Sequence, residues 1–201
     1  EKQKISSWVN QEADGVILGQ LARPIRSAGV YVPGGKACYP SSVLMNVIPA
    51  RVAGVEQLIM CSPVPGGSLN PYILVAADIA GISEIYKIGG AQAIAAMAYG
   101  TATVPKVDKI VGPGNIYTQT AKKLLYGTVG IDSIAGPSEV AIVADPSTPP
   151  AWVAADLLAQ AEHGSGQETA VAFCTGREYA EAVSAEVVRL IRRLDLDDAV
   201  S

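Results

Sequence analysis

The sequence predicts an α/β protein built on a parallel sheet, and three observations support this prediction. Short apolar runs of strand length alternate with helix-patterned segments, and glycine-containing loops follow the apolar runs. Hydrophobic residues form 49% of the 201 residues, whereas aromatic residues form 5% and charged residues 17%. Aliphatic strands with few charges are typical of parallel sheets that are covered on both faces. We therefore expect strands and helices to alternate along most of the chain.

Residues 1–28 differ from the rest of the chain because they are polar and show no clear periodicity. Asp14-Gly15 and Arg23-Pro24 are turn signals within them. The first residues, Glu1-Lys2, are neither an initiator methionine nor the start of a signal peptide. We expect an irregular N-terminal segment that belongs to a longer polypeptide.

Residues 29–135 are expected to form the main lobe, which contains four strand–helix units. The strands are expected over 29–32, 57–61, 84–88 and 109–111. The helices are expected over 41–53 with Ser41 or Ser42 as N-cap, over 71–80 with Asn70 as N-cap, over 91–98, and from Asn115 to about 125. Right-handed crossovers place the four exit loops at the carboxyl edge of a parallel sheet, where such folds bind ligands. The result is a parallel, Rossmann-like βαβ lobe.

Residues 136–201 are expected to begin a second α/β lobe. Strands are expected over 139–144 and 169–174, and helices over 149–163 and 177–194. Two strands are too few for a stable separate sheet. The second lobe is therefore expected to be partial, and either to lie beside the first sheet or to be truncated.

Charge and the length of the apolar runs argue against nucleic-acid and membrane partners, and the cysteines indicate the cellular compartment. The formal net charge is −4, and no basic run is longer than Arg192-Arg193, which argues against nucleic acid as a partner. Each apolar run ends before the roughly 18 residues that a membrane-spanning helix needs, so we expect no membrane partner. Cys38, Cys61 and Cys174 are widely spaced and odd in number, which favours reduced thiols in the cytoplasm.

Two glycine-rich loops approach known nucleotide-binding motifs without matching them. The sequence GPGNIY at 112–117 lacks the third glycine of the dinucleotide fingerprint GxGxxG. Gly34-Gly35-Lys36 lacks both the upstream glycine and the following Ser or Thr of a phosphate-binding P-loop. Glycine also permits tight strand-to-helix turns in the absence of any ligand. The local motifs alone therefore leave the ligand open.

His163 is the only histidine, and it follows Gln160 by three positions in a helix-patterned run that ends at Gly164. Residues three apart on a helix lie on one face and can hold a common ion. A histidine at a helix C-terminus can equally act as a cation beside the last carbonyl groups. Gln is also an uncommon zinc ligand. Spacing alone leaves both interpretations open.

Five longer motifs occur in order along the chain. They are VYVPGG at 30–35, GGAQAIA at 89–95, KVDKIVGPGN at 106–115, AGPSEV at 135–140 and DLLAQAEHG at 156–164. Together they resemble the histidinol dehydrogenase family closely, and the resemblance covers nearly the whole chain. It corresponds to the middle of that family's longer polypeptide.

The resemblance implies part of a zinc-containing, NAD-dependent, cytoplasmic and homodimeric oxidoreductase of histidine biosynthesis. Such an enzyme oxidises L-histidinol to L-histidine through histidinaldehyde. By motif, the NAD-contacting positions correspond to Tyr31, Gln92 and Asn115. The substrate-binding positions correspond to Ser138, Gln160 and His163, of which Gln160 and His163 also correspond to zinc ligands.

The sequence departs from the family pattern in its catalytic residues. The resemblance places the family's catalytic Glu-His pair and two further zinc ligands beyond residue 201, so no catalytic residue is assigned within this chain. One metal-bound histidine cannot also serve as the base that this oxidation needs. We therefore expect these 201 residues alone to be inactive.

Two alternatives remain at the level of sequence. The chain could be a non-catalytic α/β module that binds a nucleotide or a partner. Cys38, which follows a glycine loop, could act as a thiol nucleophile on an aldehyde, although no activating neighbour is evident in the sequence.

Overall fold

The structure, a computed structural model, describes residues 2–34, 38–134, 138–162 and 168–194. The chain divides into two compact units, Glu1–Gly136 and Pro137–Ser201. Both are α/β, as the sequence predicts. The first unit contains the larger sheet and begins with a separate hairpin.

The N-terminal segment forms an antiparallel hairpin of two strands, β1 (Trp8–Gln11) and β2 (Ile17–Gln20). The expectation of an irregular segment was therefore wrong. The turn signal itself was informative, since Gly15 has a φ of 86° and the Asp14 carboxylate accepts the Val16 N–H at 3.1 Å. Every residue of both strands is exposed, so no buried face produced the alternation by which strands are recognised in a sequence.

The main sheet of the first unit contains five parallel strands. They are β3 (Ser27–Tyr31), β4 (Gln57–Cys61), β5 (Glu84–Tyr86), β6 (Lys109–Val111) and β7 (Gly130–Ile131). Their order across the sheet is β5-β4-β3-β6-β7, and all four pairings are parallel, which confirms the prediction. β7 was not predicted because two residues are too short to show a periodic pattern.

Four helices follow these strands and cover both faces of the sheet. They are α1 (Pro40–Ala53), α2 (Pro71–Ala80), α3 (Gly90–Tyr99) and α4 (Ile116–Leu125). Val30 and Met60 pack in the apolar cluster that contains buried residues of α1 and α2. Tyr31 follows Val30 in β3, and Ile59 precedes Met60 in β4. Both pack in the cluster that contains buried residues of α3 and α4. This alternation gives the sheet two buried faces, as parallel sheets require.

The starts of α1 and α2 show how well helix caps are predicted from sequence. Asn70 caps α2 as expected, because its side chain accepts the Tyr72 N–H at 2.9 Å. The expected cap of α1 at Ser41 or Ser42 was wrong. Its N-cap is Tyr39, which makes no side-chain capping bond, and Pro40 begins the helix with a preset φ and no N–H to satisfy.

The second unit contains two parallel strands and two helices. They are β8 (Glu139–Ala144), α5 (Pro150–Ala161), β9 (Thr169–Cys174) and α6 (Arg177–Leu194). Its core includes Ala144, Val153, Tyr179 and Val183. α5 ends at Ala161, whereas the predicted helix continued to His163, which lies outside the described residues. None of the helices in the described parts of the chain is long and apolar enough to span a bilayer.

Ser27 and Asp108 connect β3 and β6 at the amino edge of the main sheet. The N–H and hydroxyl groups of Ser27 donate to Oδ2 of Asp108 at 2.9 and 3.0 Å. The Asp108 N–H donates to the Ser27 hydroxyl oxygen at 3.0 Å. The hydrogen bonds from the Ser27 backbone and side chain hold the pKa of Asp108 below its ordinary value. These contacts help to fix the register of the two central strands.

Replacement of Asp108 by Ala removes the carboxylate that accepts the two hydrogen bonds from Ser27. Because this carboxylate is exposed, the free energy of unfolding should fall by only about 1 kcal/mol at pH 7. The folded-state pKa lies below the unfolded one, so this stabilisation is present above the unfolded pKa and is lost as pH falls through the folded pKa. Urea unfolding of both proteins between pH 7 and pH 3 measures the difference. A gap that stays constant over this range would contradict the prediction.

Candidate functional site

The carboxyl edge of the main sheet contains a topological switch point between β3 and β6. From β3 the chain continues outward through β4 and β5, and it then returns to place β6 and β7 on the other side. In open α/β sheets ligands bind at such a point, in the crevice outside the strand ends. Tyr31 is the last residue of β3, and Gly112 directly follows β6.

Tyr31 is the residue around which the loops of this edge meet. Its hydroxyl accepts the N–H of Gly90, the first residue of α3, at 3.1 Å. Its ring lies against Gly114, where an added Cβ would be 3.2 Å from the Tyr31 Cε1 atom. Tyr31 is only 3% exposed. Burial raises its pKa, although the hydrogen bond from Gly90 opposes this effect, so the hydroxyl is neutral at physiological pH.

The loop 112–115 needs glycine at two positions for steric reasons. Gly112 has a φ of 118°, and an added Cβ would collide with the carbonyl oxygen of Tyr31. A Cβ on Gly114 would collide with the hydroxyl of Thr118. The backbone of this loop can therefore lie directly against β3 and the first turn of α4.

Asn115 and Gln92 lie at the starts of the two helices on this face of the sheet. Asn115 is the N-cap of α4, and its side chain accepts the Thr118 N–H at 3.1 Å. Gln92 is exposed in the first turn of α3, and a Cβ added to Gly90 would lie 2.8 Å from its Oε1 atom. The structure thus places Tyr31, Gln92 and Asn115 at one edge of the sheet, at the end of β3 and the starts of α3 and α4, and Tyr31 contacts Gly90 and Gly114 beside the other two residues.

The other three predicted site residues belong to the second unit. Ser138 is exposed and directly precedes β8, and Gln160 is partly exposed in the last turn of α5. Glu139 pairs with Thr169 in the parallel ladder, so α5 runs back to the amino edge of this sheet and ends near the start of β9. Ser138 and Gln160 therefore both lie toward that edge. His163 is outside the described residues.

No group of three or more His, Cys, Asp or Glu side chains within 2–34, 38–134, 138–162 and 168–194 is arranged to hold a metal ion. Of the two predicted metal ligands, only Gln160 falls in these ranges. An amide oxygen alone is a weak zinc ligand, so Gln160 by itself does not make a metal site.

Lys122 and Asp132 were not predicted, although they hold the loop 112–115 in place. The Lys122 side chain is 1% exposed and its ammonium group donates to the Gly112 carbonyl at 3.0 Å and to the Asp132 carboxylate. Asp132 Oδ2 accepts the Gly112 N–H at 2.8 Å, and Oδ1 accepts the Ser133 N–H at 2.7 Å. Burial raises the pKa of Asp132, but the hydrogen bonds from Lys122 and the backbone outweigh it and hold this pKa below its ordinary value.

The sequence gives little indication that Lys122 is buried. It lies four positions after Thr118, so the two share a face of α4, and that face is buried. The exposed face instead carries Tyr117 and Leu124, which are 71% and 77% exposed. A lysine beside Lys123 is ordinarily assigned to solvent, and only the fold shows the opposite.

The three cysteines lie in or against apolar clusters of the structure. Burial raises the pKa of the Cys61 thiol to about 12, which keeps it protonated. Cys38 is partly buried and packs against the apolar cluster on the α1 and α2 side of the sheet. A cleft of about 740 Å³ is lined by the N-terminal segment and α1 and also by Lys109, Val111 and Asp132, whereas Tyr31, Gln92 and Asn115 do not line it.

Comparisons with known proteins agree on one family. The family model described as histidinol dehydrogenase matches residues 1–201. The histidinol dehydrogenase of Geobacter metallireducens is 56% identical over 194 residues, which are 96% of this chain and 44% of the relative. That of a Synechococcus strain is 60% identical over 200 residues, which are 97% of this chain and 46% of the relative.

A solved structure gives the same result for the fold. The crystal structure of histidinol dehydrogenase from Elizabethkingia anophelis matches with a TM-score of 0.86 and 41% identity. The match covers 99% of this chain and 47% of that one. The chain thus spans less than half the length of these relatives.

Gly112→Ala should destabilise the first unit more than Gly127→Ala does. Both glycines have a positive φ, of 118° and 98°, so both variants lose about 1–2 kcal/mol to backbone strain. Only the Cβ at position 112 also collides with the Tyr31 backbone, whereas no atom lies within 4 Å of a Cβ at position 127. Chemical denaturation of the two variants tests this order, and equal losses would contradict the steric argument.

Proposed function

Because the chain belongs to the histidinol dehydrogenase family, we propose that it forms the nucleotide-binding part of an enzyme that oxidises L-histidinol to L-histidine through histidinaldehyde. The observation that carries this proposal is the match of the family model to residues 1–201. The reaction belongs to histidine biosynthesis, in the cytoplasm. The oxidation removes two hydrides in sequence, and NAD is the proposed acceptor of each.

The carboxyl edge of the main sheet is the proposed NAD-binding site. It supplies the switch point between β3 and β6 and the N-terminus of α4, whose first N–H groups have no partner within the helix and favour a phosphate. Asn115 and Gln92 are exposed, so their amide groups can donate to or accept from a dinucleotide. Tyr31 is nearly buried, so its proposed contribution is the small exposed part of its ring and the positioning of Gly90 and Gly114.

Gln160 and His163 are the proposed zinc ligands, and Ser138 the proposed further contact to histidinol. When bound, zinc would supply a Lewis acid beside the substrate. Neutral imidazole is a good zinc ligand and an amide oxygen a poor one. We therefore propose that His163 contributes most of the metal affinity that this chain provides, while Gln160 helps to orient the ion.

We propose that the proton transfers use groups outside these 201 residues. The first oxidation removes the proton of an alcohol, and the second needs a water activated for attack on an aldehyde. The chain contains a single histidine, and a zinc-bound imidazole cannot accept these protons. We propose that the Glu-His pair comes from the part of the family's length outside this chain, and that the whole enzyme is a homodimer.

Asn115 and His163 should show opposite defects in a full-length enzyme that carries this sequence. Asn115→Ala should weaken NAD binding about tenfold, equivalent to roughly 1.4 kcal/mol, and leave the zinc content unchanged. His163→Ala should lose zinc and turnover but retain most of its NAD affinity, and Gln160→Ala should lose less zinc than His163→Ala. Atomic absorption and NAD titration measure the two properties.

Two controls separate binding from helix capping. Asn115→Ser keeps a capping oxygen at the start of α4 but removes the amide, so its NAD affinity should fall as in Asn115→Ala. Asn70→Ala removes the equivalent cap of α2 and should leave NAD affinity intact. A His163→Ala enzyme that retains stoichiometric zinc would show that His163 is only a helix-end residue.

The isolated 201-residue chain should produce no NADH from histidinol and NAD, because it lacks a base for either oxidation. Absorbance at 340 nm provides the measurement, with a full-length enzyme as the positive control. NADH formation that is proportional to the concentration of the isolated chain and abolished by a chelator would contradict the prediction. If the full-length enzyme binds NAD and forms no NADH from histidinol, the non-catalytic nucleotide-binding module is supported instead.

A further inference from the structure

We infer that Lys122 and Asp132 are positioning residues for nucleotide binding, which act by holding both hydrogen-bonding groups of the Gly112 backbone. This inference rests on the proposed function, because it concerns the loop proposed to receive NAD. Neither residue is proposed to touch the nucleotide.

The geometry fixes the first residue of the loop from two sides. The carbonyl oxygen of Gly112 accepts the Lys122 ammonium group at 3.0 Å, and the Gly112 N–H donates to Asp132 at 2.8 Å. Lys122 and Asp132 also bind each other directly. Lys122 lies on α4, whereas Asp132 directly follows β7. The pair therefore connects the carboxyl ends of β6 and β7 to the helix that the loop leads into.

The burial of Lys122 excludes a direct role in binding phosphate. Its side chain is 1% exposed, and its ammonium group already has two acceptors. Its charge is balanced by the carboxylate of Asp132, whose side chain is 32% exposed. A phosphate-binding lysine needs an accessible ammonium group and a charge that is not already paired. The positioning role is the one that the contacts of Lys122 allow.

The position of Gly112 explains why its orientation should affect ligand affinity. Its φ of 118° is accessible mainly to glycine, so the loop would adopt other conformations if the two bonds were lost. Gly114, two positions after Gly112, lies against the Tyr31 ring, and Asn115, three positions after Gly112, is the N-cap of α4. A rotation of the Gly112 peptide would therefore move the groups proposed to bind NAD. A preorganised loop binds more tightly because it loses less freedom on binding.

Asp108 provides a matched control within the same sheet. Like Asp132, it is an aspartate that accepts a backbone N–H, from Ser27 at 2.9 Å, and it connects adjacent strands. It does so at the amino edge, opposite the proposed nucleotide site. Loss of Asp108 should therefore lower stability without changing the loop 112–115.

The experiment compares Lys122→Met, Asp132→Ala, Asp132→Asn and Asp108→Ala in a full-length enzyme that carries this sequence. Lys122→Met and Asp132→Ala should raise the KM for NAD and its dissociation constant at least tenfold, while the KM for histidinol and the zinc content stay within twofold. Asp132→Asn keeps the shape of the side chain and an acceptor oxygen, so it should restore part of the NAD affinity. Asp108→Ala should retain the wild-type value of both KM constants.

Hydrogen exchange of a peptide that includes 112–115 gives a second readout on variants that remain folded. Exchange in the absence of NAD should be faster in Asp132→Asn than in wild type and unchanged in Asp108→Ala. Folded Asp132→Asn and Asp132→Ala enzymes with wild-type NAD affinity and exchange would overturn the inference while leaving the proposed function intact. A wild-type enzyme that oxidises no histidinol and binds no NAD would instead overturn the proposed function and the inference with it.

Discussion

The ion pair between the buried Lys122 and the partly exposed Asp132 is the interaction on which the carboxyl edge of the first unit depends. An ammonium group that is 1% exposed is stable only when acceptors replace its lost water, and here the acceptors are a carboxylate and the Gly112 carbonyl. Removal of the Asp132 carboxylate would leave the Lys122 charge buried without a counter-ion, and such a loss typically costs about 3–5 kcal/mol. The same contacts set the path of the loop 112–115, the position of Gly114 against Tyr31 and the start of α4. Loop shape and core stability are therefore linked at this position.

Much of the fold could be predicted because buried elements leave an apolar pattern in the sequence. Val30 and Met60 pack on one face of the sheet and Tyr31 and Ile59 on the other, so strands that are buried on both faces appear in the sequence as short continuous apolar runs. The hairpin β1–β2 leaves no such trace, since its residues are exposed on both faces. The start of α1 was placed wrongly for a local reason, because Pro40 can begin a helix where the sequence suggested a serine cap.

The candidate site was predictable only in part, for a different physical reason. Tyr31, Gln92 and Asn115 were proposed from their motifs, and the parallel topology brings them to one edge of the sheet. The burial of Tyr31 and the contacts of Lys122 depend on tertiary packing, because Tyr31 contacts Gly90, which is 59 positions away, and Lys122 contacts Gly112 and Asp132, each 10 positions away. Residue type also misleads here, since lysine is usually found in solvent. The proposed roles of Ser138, Gln160 and His163 remain predictions from the resemblance.

The central position of β3 has a consequence for the order in which the chain can fold. Strand β3 pairs with β4, which is the next strand of this sheet to be synthesised, and with β6, which is synthesised much later. Asp108, which directly precedes β6, lies 81 positions after Ser27, the first residue of β3. During synthesis at about 5–20 residues per second, one edge of β3 therefore stays unpaired for a time on the order of seconds. An unpaired apolar strand edge is a template for pairing with another chain. The nascent protein thus passes through an interval in which chaperone binding would protect it, and that interval ends only when Lys109–Val111 has left the ribosome.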